Sequence, residues 1–229
     1  MASSMYENLM TLPLFKGVSY NRVSEIVGKT RLGFLKYLPG DPLVRVGEPC
    51  TGIKFIITGS VRLTIHNVSD RFRVMQTLNA PSVISPDFLF GRDTLYPADG
   101  VAIDTVSVMQ IAKSDFISLL HEDEIILFNY LNILSTNAQK AINGVIALTS
   151  GSLEERIAFW IIALTQMDAT DIVLQARQRD LYALFGVQRT SFMAALDSLR
   201  DRGIITYSTN EINVLSRREL RSVLLNVSD

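Results

Sequence analysis

Residues 188–200 have the composition of an amphipathic helix with a polar start, a pattern that suits contact with the bases of DNA. Apolar residues at helical spacing predict its inward face: Phe192, Ala195, Leu196 and Leu199. The outward face carries Arg189, Thr190, Met193 and Ala194. Arg189 is the candidate for a bidentate contact with guanine, worth about 1–3 kcal/mol of discrimination, and Thr190 or Met193 can meet a thymine methyl group. Gln188 and Ser191, at the helix start, are placed for phosphate contacts.

The surrounding sequence predicts the elements that would position this helix. After a loop, a first helical pattern over Gln178–Leu184 is separated from the second, Arg189–Arg202, by Phe185-Gly186-Val187. Two strand patterns then flank Thr209-Asn210, which predicts a hairpin with a two-residue loop, and Ser216 opens a last short helix. This order predicts a winged helix-turn-helix, which lays its second helix in the major groove. Further positive charge on that face is expected from Arg177, Arg179, Arg217 and Arg218.

Charge along the chain limits the kind of nucleic-acid binding that is expected. The 229 residues include 22 Lys and Arg against 23 Asp and Glu, a net charge of −1, which excludes a uniformly basic protein that coats nucleic acid. Between Arg177 and Arg218, however, seven arginines face four acids. The sequence therefore predicts local DNA binding that weakens steeply with salt. The alternative is a winged helix whose surface serves protein contacts.

The central part of the chain has a seven-residue apolar repeat. Steps of four and three residues connect Leu127, Leu131, Leu134, Ala138, Ala141, Val145 and Leu148. Such a stripe over three repeats predicts a helix that pairs with the same helix of a second copy. The alternative is one amphipathic helix packed on its own domain, but further apolar residues, among them Ile142 and Ile146, favour cover from more than one side.

The N-terminal region is typical of a small all-β domain, because short apolar runs such as Val61–Ile65 and Val101–Ile111 alternate with turn residues. Farther on, Ser152-Leu153-Glu154-Glu155 predicts a helix capping box after a hinge at 149–152. Together the patterns predict an α+β protein of three parts. These are a jelly-roll-like β-roll (a double-stranded β-helix) over 1–113, a long central dimerisation helix over 114–149 and a winged helix-turn-helix over 150–229.

The order of these parts resembles the CRP/FNR family of bacterial transcription regulators along nearly the whole chain. The likeness rests on the β-roll run 47–61, GEPCTGIKFIITGSV, on the long helix after it and on the helix-turn-helix over Arg177–Ile205. It implies a dimeric, sequence-specific DNA-binding transcription regulator with an effector-binding β-roll. Double-stranded DNA, a second copy of the chain, a small-molecule effector and RNA polymerase are the candidate partners.

The chain departs from the family in the segment that would hold a cyclic nucleotide. Family members that bind cyclic nucleotides carry Gly-Glu and then Arg followed by Ser or Thr. Here Gly91 is present, but Arg92 stands at the Glu position and Tyr96-Pro97 replace Arg-Ser. Because Pro97 has no N–H to offer a phosphate, cyclic AMP is not expected to be the effector. The candidate effector pocket comprises Gly91, Arg92, Tyr96 and Pro97.

The sequence predicts no required cofactor and no enzymatic activity. Cys50 is the sole cysteine, which excludes the iron–sulfur cluster of the family's redox branch and fits a reducing, cytoplasmic compartment. With only His66 and His121, the sequence favours neither a metal site, nor haem ligation, nor a jelly-roll enzyme with clustered histidines. The longest uncharged stretch, Ile125–Gln139, is too short to cross a bilayer, so no membrane partner is expected.

Two further departures concern the predicted DNA reader. Tyr182 occupies a position where the first helix usually has a small residue, and Ala194 aligns with the family's second base-reading arginine. Sequence preference is therefore expected to differ from the family's best-known site. These departures also motivate the main alternative, a degenerate family scaffold that acts through protein–protein contacts without specific DNA binding.

Overall fold

The computed structural model describes residues 2–67, 71–147, 149 and 151–225. The chain forms two compact units, of which the first comprises Met1–Arg62 and Leu78–Ala138 and the second Leu63–Thr77 and Gln139–Asp229. A segment of the predicted β-roll, 63–77, thus lies in the same compact unit as the helix-turn-helix. The predicted domain boundaries at 113/114 and 149/150 stay predictions.

The helices and strands follow the chain in two groups. The first group is α1 (Ala2–Thr11), α2 (Tyr20–Lys29), β1 (Leu32–Tyr37), β2 (Pro42–Val44), β3 (Gly52–Thr58), β4 (Ser60–His66), β5 (Phe72–Asn79), β6 (Ser82–Ile84), β7 (Asp99–Ala102) and β8 (Val106–Ala112), with 3₁₀ turns at Pro13–Phe15 and Pro86–Phe88. The second group is α3 (Lys113–Glu122), α4 (Glu124–Ala147), α5 (Leu153–Leu164), β9 (Thr170–Ala176), α6 (Gln178–Leu184), α7 (Arg189–Asp201), β10 (Ile205–Tyr207), β11 (Glu211–Val214) and α8 (Arg217–Leu225).

The first unit is built on antiparallel strands in the order β1-β8-β3-β6, with β2 paired to β7. This jelly-roll-like arrangement confirms the predicted fold of the N-terminal region. The apolar run Val101–Ile111, however, forms two strands rather than one. They are separated at 103–105, where the Asp104 carboxylate accepts a hydrogen bond from the Ser60 N–H at 2.8 Å. The polar turn residues, and not the apolar content of the run, decide where the strands end.

The second unit contains the predicted winged helix-turn-helix. Its strands lie in the order β10-β11-β9-β5. The capping box is confirmed, since the Ser152 hydroxyl accepts from the Glu155 N–H and the Glu155 carboxylate accepts from the Ser152 N–H. The two-residue hairpin loop is confirmed by a hydrogen bond from the Ser208 N–H to the Glu211 carbonyl. Of the predicted hinge, Ser150 lies outside the described residues.

Strand β9 corrects the sequence analysis, which predicted a loop before α6. Its side chains alternate in burial, with Ile172, Leu174 and Ala176 buried. It pairs with β11 on one side and with β5 on the other, where Phe72 lies opposite Ala176 and Arg73 opposite Gln175. The neighbours that stabilise so short a strand come from distant parts of the chain, which explains why local periodicity is insufficient to predict it.

The predicted continuous helix over 114–149 is interrupted at Asp123, which corrects the sequence analysis. Asp123 adopts an extended backbone conformation between α3 and α4. Its carboxylate accepts from the Ile126 N–H at 3.1 Å, an N-cap interaction, and from Arg22 Nε at 2.7 Å. Burial by itself raises the pKa of the Asp123 carboxyl, but these hydrogen bonds outweigh it and the pKa lies below its usual value. The charged carboxylate therefore stabilises this junction.

We predict that Asp123→Asn lowers the free energy of unfolding at pH 7 by about 3 kcal/mol, because a partner of a mostly buried ion pair is removed. The side chain of Asp123 is 8% exposed, whereas that of Glu25, which also pairs with Arg22, is 55% exposed. Glu25→Gln should thus cost less than about 1 kcal/mol. Denaturant unfolding of both variants and the wild type measures the difference.

The pH dependence of the Asp123 contribution has a defined sign. A carboxyl with a lowered pKa in the folded state stabilises the fold above its unfolded pKa of about 3.9, and the contribution is lost as the pH falls through the folded pKa. The difference in stability between wild type and Asp123→Asn should therefore be constant from pH 7 to about 5 and shrink below about pH 4. A difference that grows on acidification contradicts this assignment.

Within the second unit, α4 and α5 approach closely at Gly144. A Cβ atom added to Gly144 would overlap the Cβ of Ala163, so one of the two helices would have to move. Lys140 Nζ adds a hydrogen bond to the Thr165 carbonyl at the end of α5. Gly144 is therefore required by packing between helices, despite the cost of glycine within a helix.

We predict that Gly144→Ala destabilises the protein by about 1–3 kcal/mol through overpacking. Gly28 on α2 is the matched control, since it is exposed and a Cβ atom there would meet no atom within 4 Å. Gly28→Ala should stabilise by up to about 1 kcal/mol through helix propensity. Combining Gly144→Ala with Ala163→Gly should recover most of the loss in thermal unfolding, and the absence of recovery would place the clash elsewhere.

Candidate nucleic-acid interface

Helix α7 has the two faces that the sequence predicts. The four residues of the inward face are all buried: Phe192, Ala195, Leu196 and Leu199. The start of the helix is exposed at Gln188, Arg189, Thr190, Ser191 and Ala194, whereas Met193 is half-buried. The Gln188 side chain makes no capping hydrogen bond. The side chains predicted to contact bases and phosphates are therefore accessible, although Met193 is only partly so.

The turn between α6 and α7 is held by aromatic packing and by one arginine. Phe185 packs between Trp160 of α5 and Phe192 of α7, with ring centroids 5.5 and 5.9 Å apart. Arg156 Nη2 donates to the Phe185 carbonyl at 2.6 Å, and its guanidinium lies 5.7 Å from the Phe185 ring. Gly186 follows with a φ of +65°, which suits glycine. Arg156 thus holds the turn that leads into α7.

The contact of Arg156 with the turn was not predicted from the sequence. Its helix, α5, is separated from α6 by β9, and nothing in the local pattern points to the Phe185 carbonyl. Tyr182, which stands where the first helix usually has a small residue, is half-buried, and its carbonyl accepts the Val187 N–H at 3.1 Å. Its effect on DNA binding stays a prediction.

Several arginines of the predicted positive face are paired with acids. Arg177 donates to Asp180 through Nε at 2.8 Å and Nη2 at 3.2 Å, and Arg179 Nε lies 3.9 Å from the same carboxylate. The hydrogen bond from Arg177 and the charges of Arg177, Arg179 and Arg71 lower the pKa of Asp180. Farther along α7, Arg200 pairs with Asp197 and Asp201. These pairs reduce the positive charge available to DNA.

Arg217 and Arg218 lie at the start of α8, away from the Arg177–Asp180 pair that precedes and begins α6. They begin α8, which packs against α5, and line a depression together with Met167 and Asp168. Arg217 is half-buried, and burial lowers the pKa of its guanidinium. Its Nε makes no hydrogen bond within the described part of the chain. Their contact with DNA remains a prediction.

In the first unit, the candidate effector residues do not form an open phosphate cradle. Gly91 and Arg92 are exposed and Pro97 is half-buried, but Tyr96 is only 4% exposed. The Tyr96 N–H donates to the Glu48 carbonyl, and its own carbonyl accepts the Gly47 N–H, both at 2.9 Å. Neither Tyr96 nor Pro97 therefore offers a free N–H to a ligand. Burial also raises the pKa of the Tyr96 phenol, whose ring lies under Lys54 Nζ at 5.2 Å.

Helix α4 presents an exposed apolar stripe, but in a rotated position compared with the prediction. Leu131, Ala138, Ala141 and Val145 are exposed as expected, Leu127 and Leu134 are half-buried, and Leu148 lies outside the described residues. Phe128 and Ile142 are exposed instead, at 61% and 60%.

No helix in the described ranges has both the length and the apolar character that a membrane crossing requires.

Polar anchors on α4 explain this rotation. Asn129 donates to the carbonyls of Leu14 and Lys16, Tyr130 donates to Pro86, and Asn137 donates to Asp87. These bonds fix one side of α4 against the first unit and turn Leu127 and Leu134 partly inward. A heptad count assigns equal weight to all apolar residues and contains no information on such anchors.

Comparison with known proteins matches both parts of this architecture. Residues 34–123 match the family described as "Cyclic nucleotide-binding domain" and residues 155–223 the "Crp-like helix-turn-helix domain". The chain is 21% identical over 209 residues to the cyclic AMP receptor protein of Thermus thermophilus, covering 88% of this chain and 92% of that one. The chain belongs to the CRP/FNR family of transcription regulators. Members of the CRP/FNR family are regulators rather than enzymes, and the helix-turn-helix supports DNA binding.

Solved structures share the CRP/FNR fold. The crystal structure of the Thermus thermophilus catabolite activator protein matches with a TM-score of 0.55 at 18% identity, covering 94% of this chain and all of that one. The sensor domain of the regulator DNR from Pseudomonas aeruginosa matches with a TM-score of 0.52 at 17% identity, covering 62% of this chain and 95% of that one.

Within the described residues of this chain, no group of three or more His, Cys, Asp or Glu side chains is arranged to hold a metal ion.

Proposed function

We propose that this chain is a dimeric, sequence-specific DNA-binding transcription regulator that responds to a small-molecule effector other than cyclic AMP. The observation that carries the proposal is the exposed start of α7, Gln188–Ser191, on a helix whose opposite face is fully buried. A rigid helix with an accessible polar start suits insertion into the major groove. Arg189 reads guanine, and Gln188 and Ser191 contact phosphate.

The exposed stripe of α4 supports the dimer. Exposed residues at steps of three and four run along one face: Phe128, Leu131, Ser135, Ala138, Ile142 and Val145. A face of this kind suits a second copy of the same helix, because heptad spacing keeps both stripes in contact along their length. Two DNA-reading helices held together in this way recognise two half-sites about one helical turn apart.

Selection of genomic fragments by the purified protein tests the proposal. We expect enrichment of fragments that share a two-fold symmetric site, with binding that weakens steeply as salt rises. Equal affinity for scrambled DNA of the same length would reject specific readout. RNA polymerase is a further candidate partner, tested by transcription in vitro from an enriched fragment.

We predict that cyclic AMP leaves the protein unchanged. Because Tyr96 and Pro97 offer no free N–H and the family's Arg-Ser pair is absent, the phosphate has no fixed partners. Ligand binding at a hundred times the dissociation constant adds about 2.7 kcal/mol of stability, which thermal unfolding detects readily. A millimolar concentration of cyclic AMP should therefore leave the melting temperature within error, and a clear rise contradicts the proposal.

The second candidate function is a family scaffold without specific DNA binding. The pairing of Arg177 with Asp180, and of Arg200 with Asp197 and Asp201, favours it because these acids oppose a polyanion. It predicts that no genomic fragment is enriched, while partner proteins co-purify with the dimer.

A further inference from the structure

A cleft within the second unit lies between the β4–β5 hairpin and helices α5 and α6. It has a volume of about 520 Å³, which falls within the range of about 300–1,000 Å³ that is usual for small-molecule sites. Its apolar lining residues are Phe72, Trp160, Leu164, Ala176, Leu181 and Leu184. They all belong to the second unit, whereas the candidate effector residues over 91–97 belong to the first.

The walls of the cleft are fixed by strand pairing and by ring contacts. Phe72 of β5 lies opposite Ala176 of β9 in the sheet. The ring centroid of Trp160 lies 5.5 Å from that of Phe72 and 5.5 Å from that of Phe185. The aromatic surface of the cleft is therefore held in place by the fold and does not depend on a ligand for its position.

Part of the apolar lining is left uncovered by the folded chain. Leu184, the last residue of α6, is 51% exposed, although Leu181, one turn earlier, is 3% exposed and Trp160 is 9% exposed. Apolar surface that is open to water gains free energy when another apolar group covers it. The exposed leucine therefore favours an apolar occupant.

The polar residues of the lining leave no unpaired charge for an ionic ligand. Asp180 accepts two hydrogen bonds from Arg177, which lower its pKa, and the charge of Arg71 lowers this pKa further. Arg71 and Asp180, one cation and one anion, thus offset each other. The Asn67 Oδ1 atom accepts from the N–H groups of Arg71 and Phe72 at 2.9 and 3.2 Å. The lining therefore combines apolar surface with an amide and a neutralised charge pair.

We propose that this cleft binds a small uncharged molecule with an aromatic ring system. A flat ring contacts Trp160 and Phe72 while it covers Leu184, and aromatic rings favour such contacts with one another. An ionic ligand would lose hydration without gaining an unpaired partner of opposite sign. The inference goes beyond the proposed function, because ligand binding in this cleft requires no DNA.

Two fluorescent dyes with the same ring system test this ligand class on the full-length protein. Phenylnaphthylamine is uncharged, and anilinonaphthalene sulfonate adds a negative charge to the same rings. We expect the uncharged dye to bind at one site per chain, at least about tenfold more tightly than the sulfonate. Because Trp160 is the sole tryptophan of the chain, quenching of its emission should follow the same titration curve as the rise in dye fluorescence.

A pair of variants locates the dye. Leu184→Glu should weaken binding of phenylnaphthylamine by at least about tenfold, because a charge replaces apolar lining surface. Leu215→Glu is the matched control, since Leu215 is 61% exposed but is not a lining residue of the cleft. It should bind the dye as the wild type does. Thermal unfolding shows whether each variant is folded, and Leu184→Gln should weaken binding in the same direction if the glutamate variant does not fold.

The outcomes separate this inference from the proposed function. A loss confined to the Leu184 variants, together with preference for the uncharged dye, supports the site. Equal binding of the two dyes, or tighter binding of the sulfonate, overturns the ligand class. An equal loss in the variants of Leu184 and Leu215, or a loss in neither, assigns the dye to other apolar surface and overturns the site. A wild type that binds the dye as expected but binds no DNA rejects the proposed function and leaves this inference standing.

Discussion

Arg189→Ala is expected to abolish the preference for the selected DNA site over scrambled DNA. A bidentate contact between arginine and guanine is worth about 1–3 kcal/mol at each half-site, so the affinity for the specific site should fall by about tenfold or more. Arg189 is exposed at the first turn of α7 and no acid pairs with it among the described ion pairs. Fluorescence anisotropy with both DNAs at two salt concentrations measures the loss.

Two further variants show whether the loss of discrimination comes from the missing positive charge or from the missing base contact. Arg202→Ala removes the same charge at the opposite end of α7, where the residue is exposed, and should leave discrimination intact. Arg189→Lys keeps the charge but not the planar fork, so scrambled DNA should bind as before while discrimination falls. If Arg189→Ala discriminates as the wild type does, α7 does not read bases through this residue.

Ile142→Glu is expected to convert the proposed dimer into single subunits. Ile142 lies in the middle of the exposed stripe of α4 and is 60% exposed in the single chain. Two carboxylates brought together across a two-fold apolar contact would each lose water without gaining a partner, so the dissociation constant should rise by at least about a hundredfold. Sedimentation velocity at several protein concentrations measures the dimer fraction.

Thr136→Glu is the matched control for this change. Thr136 is also an exposed residue of α4 but lies off the apolar stripe, and glutamate is compatible with a helix at both positions. It should leave the dimer intact. A wild type that sediments as one subunit, or an Ile142→Glu variant that dimerises as the wild type does, contradicts the assignment of this face to a second copy.

For the DNA reader, the sequence predicted the faces but not the electrostatics. The inward face of α7 depends on a 3.6-residue period, which is visible in Phe192, Leu196 and Leu199 without any neighbour. The pairing of Arg177 with Asp180 also lies within one turn. Its effect on the positive face was not predicted, because arginines and acids were counted without regard to which of them pair. The position of Phe72 beside Trp160 was not predicted either, since it depends on pairing of β5 with β9.

For α4, the sequence predicted an apolar helix but neither its start nor its rotation. The break at Asp123 depends on Arg22, which is about a hundred residues away in the chain. The rotation depends on bonds from Asn129 to the carbonyls of Leu14 and Lys16. Both are long-range polar interactions, and a heptad pattern does not register them.

Local patterns were sufficient to predict the order of the parts, the capping box at Ser152, the two-residue wing loop and the buried side of α7, because each depends on residues a few positions apart. The folded structure was needed to show that Arg177 and Arg200 pair with acids, which side of α4 is exposed, and that a hairpin from the N-terminal half joins the sheet of the second unit. The last two depend on hydrogen bonds and strand partners contributed by distant segments, whose positions become defined only when the chain has folded.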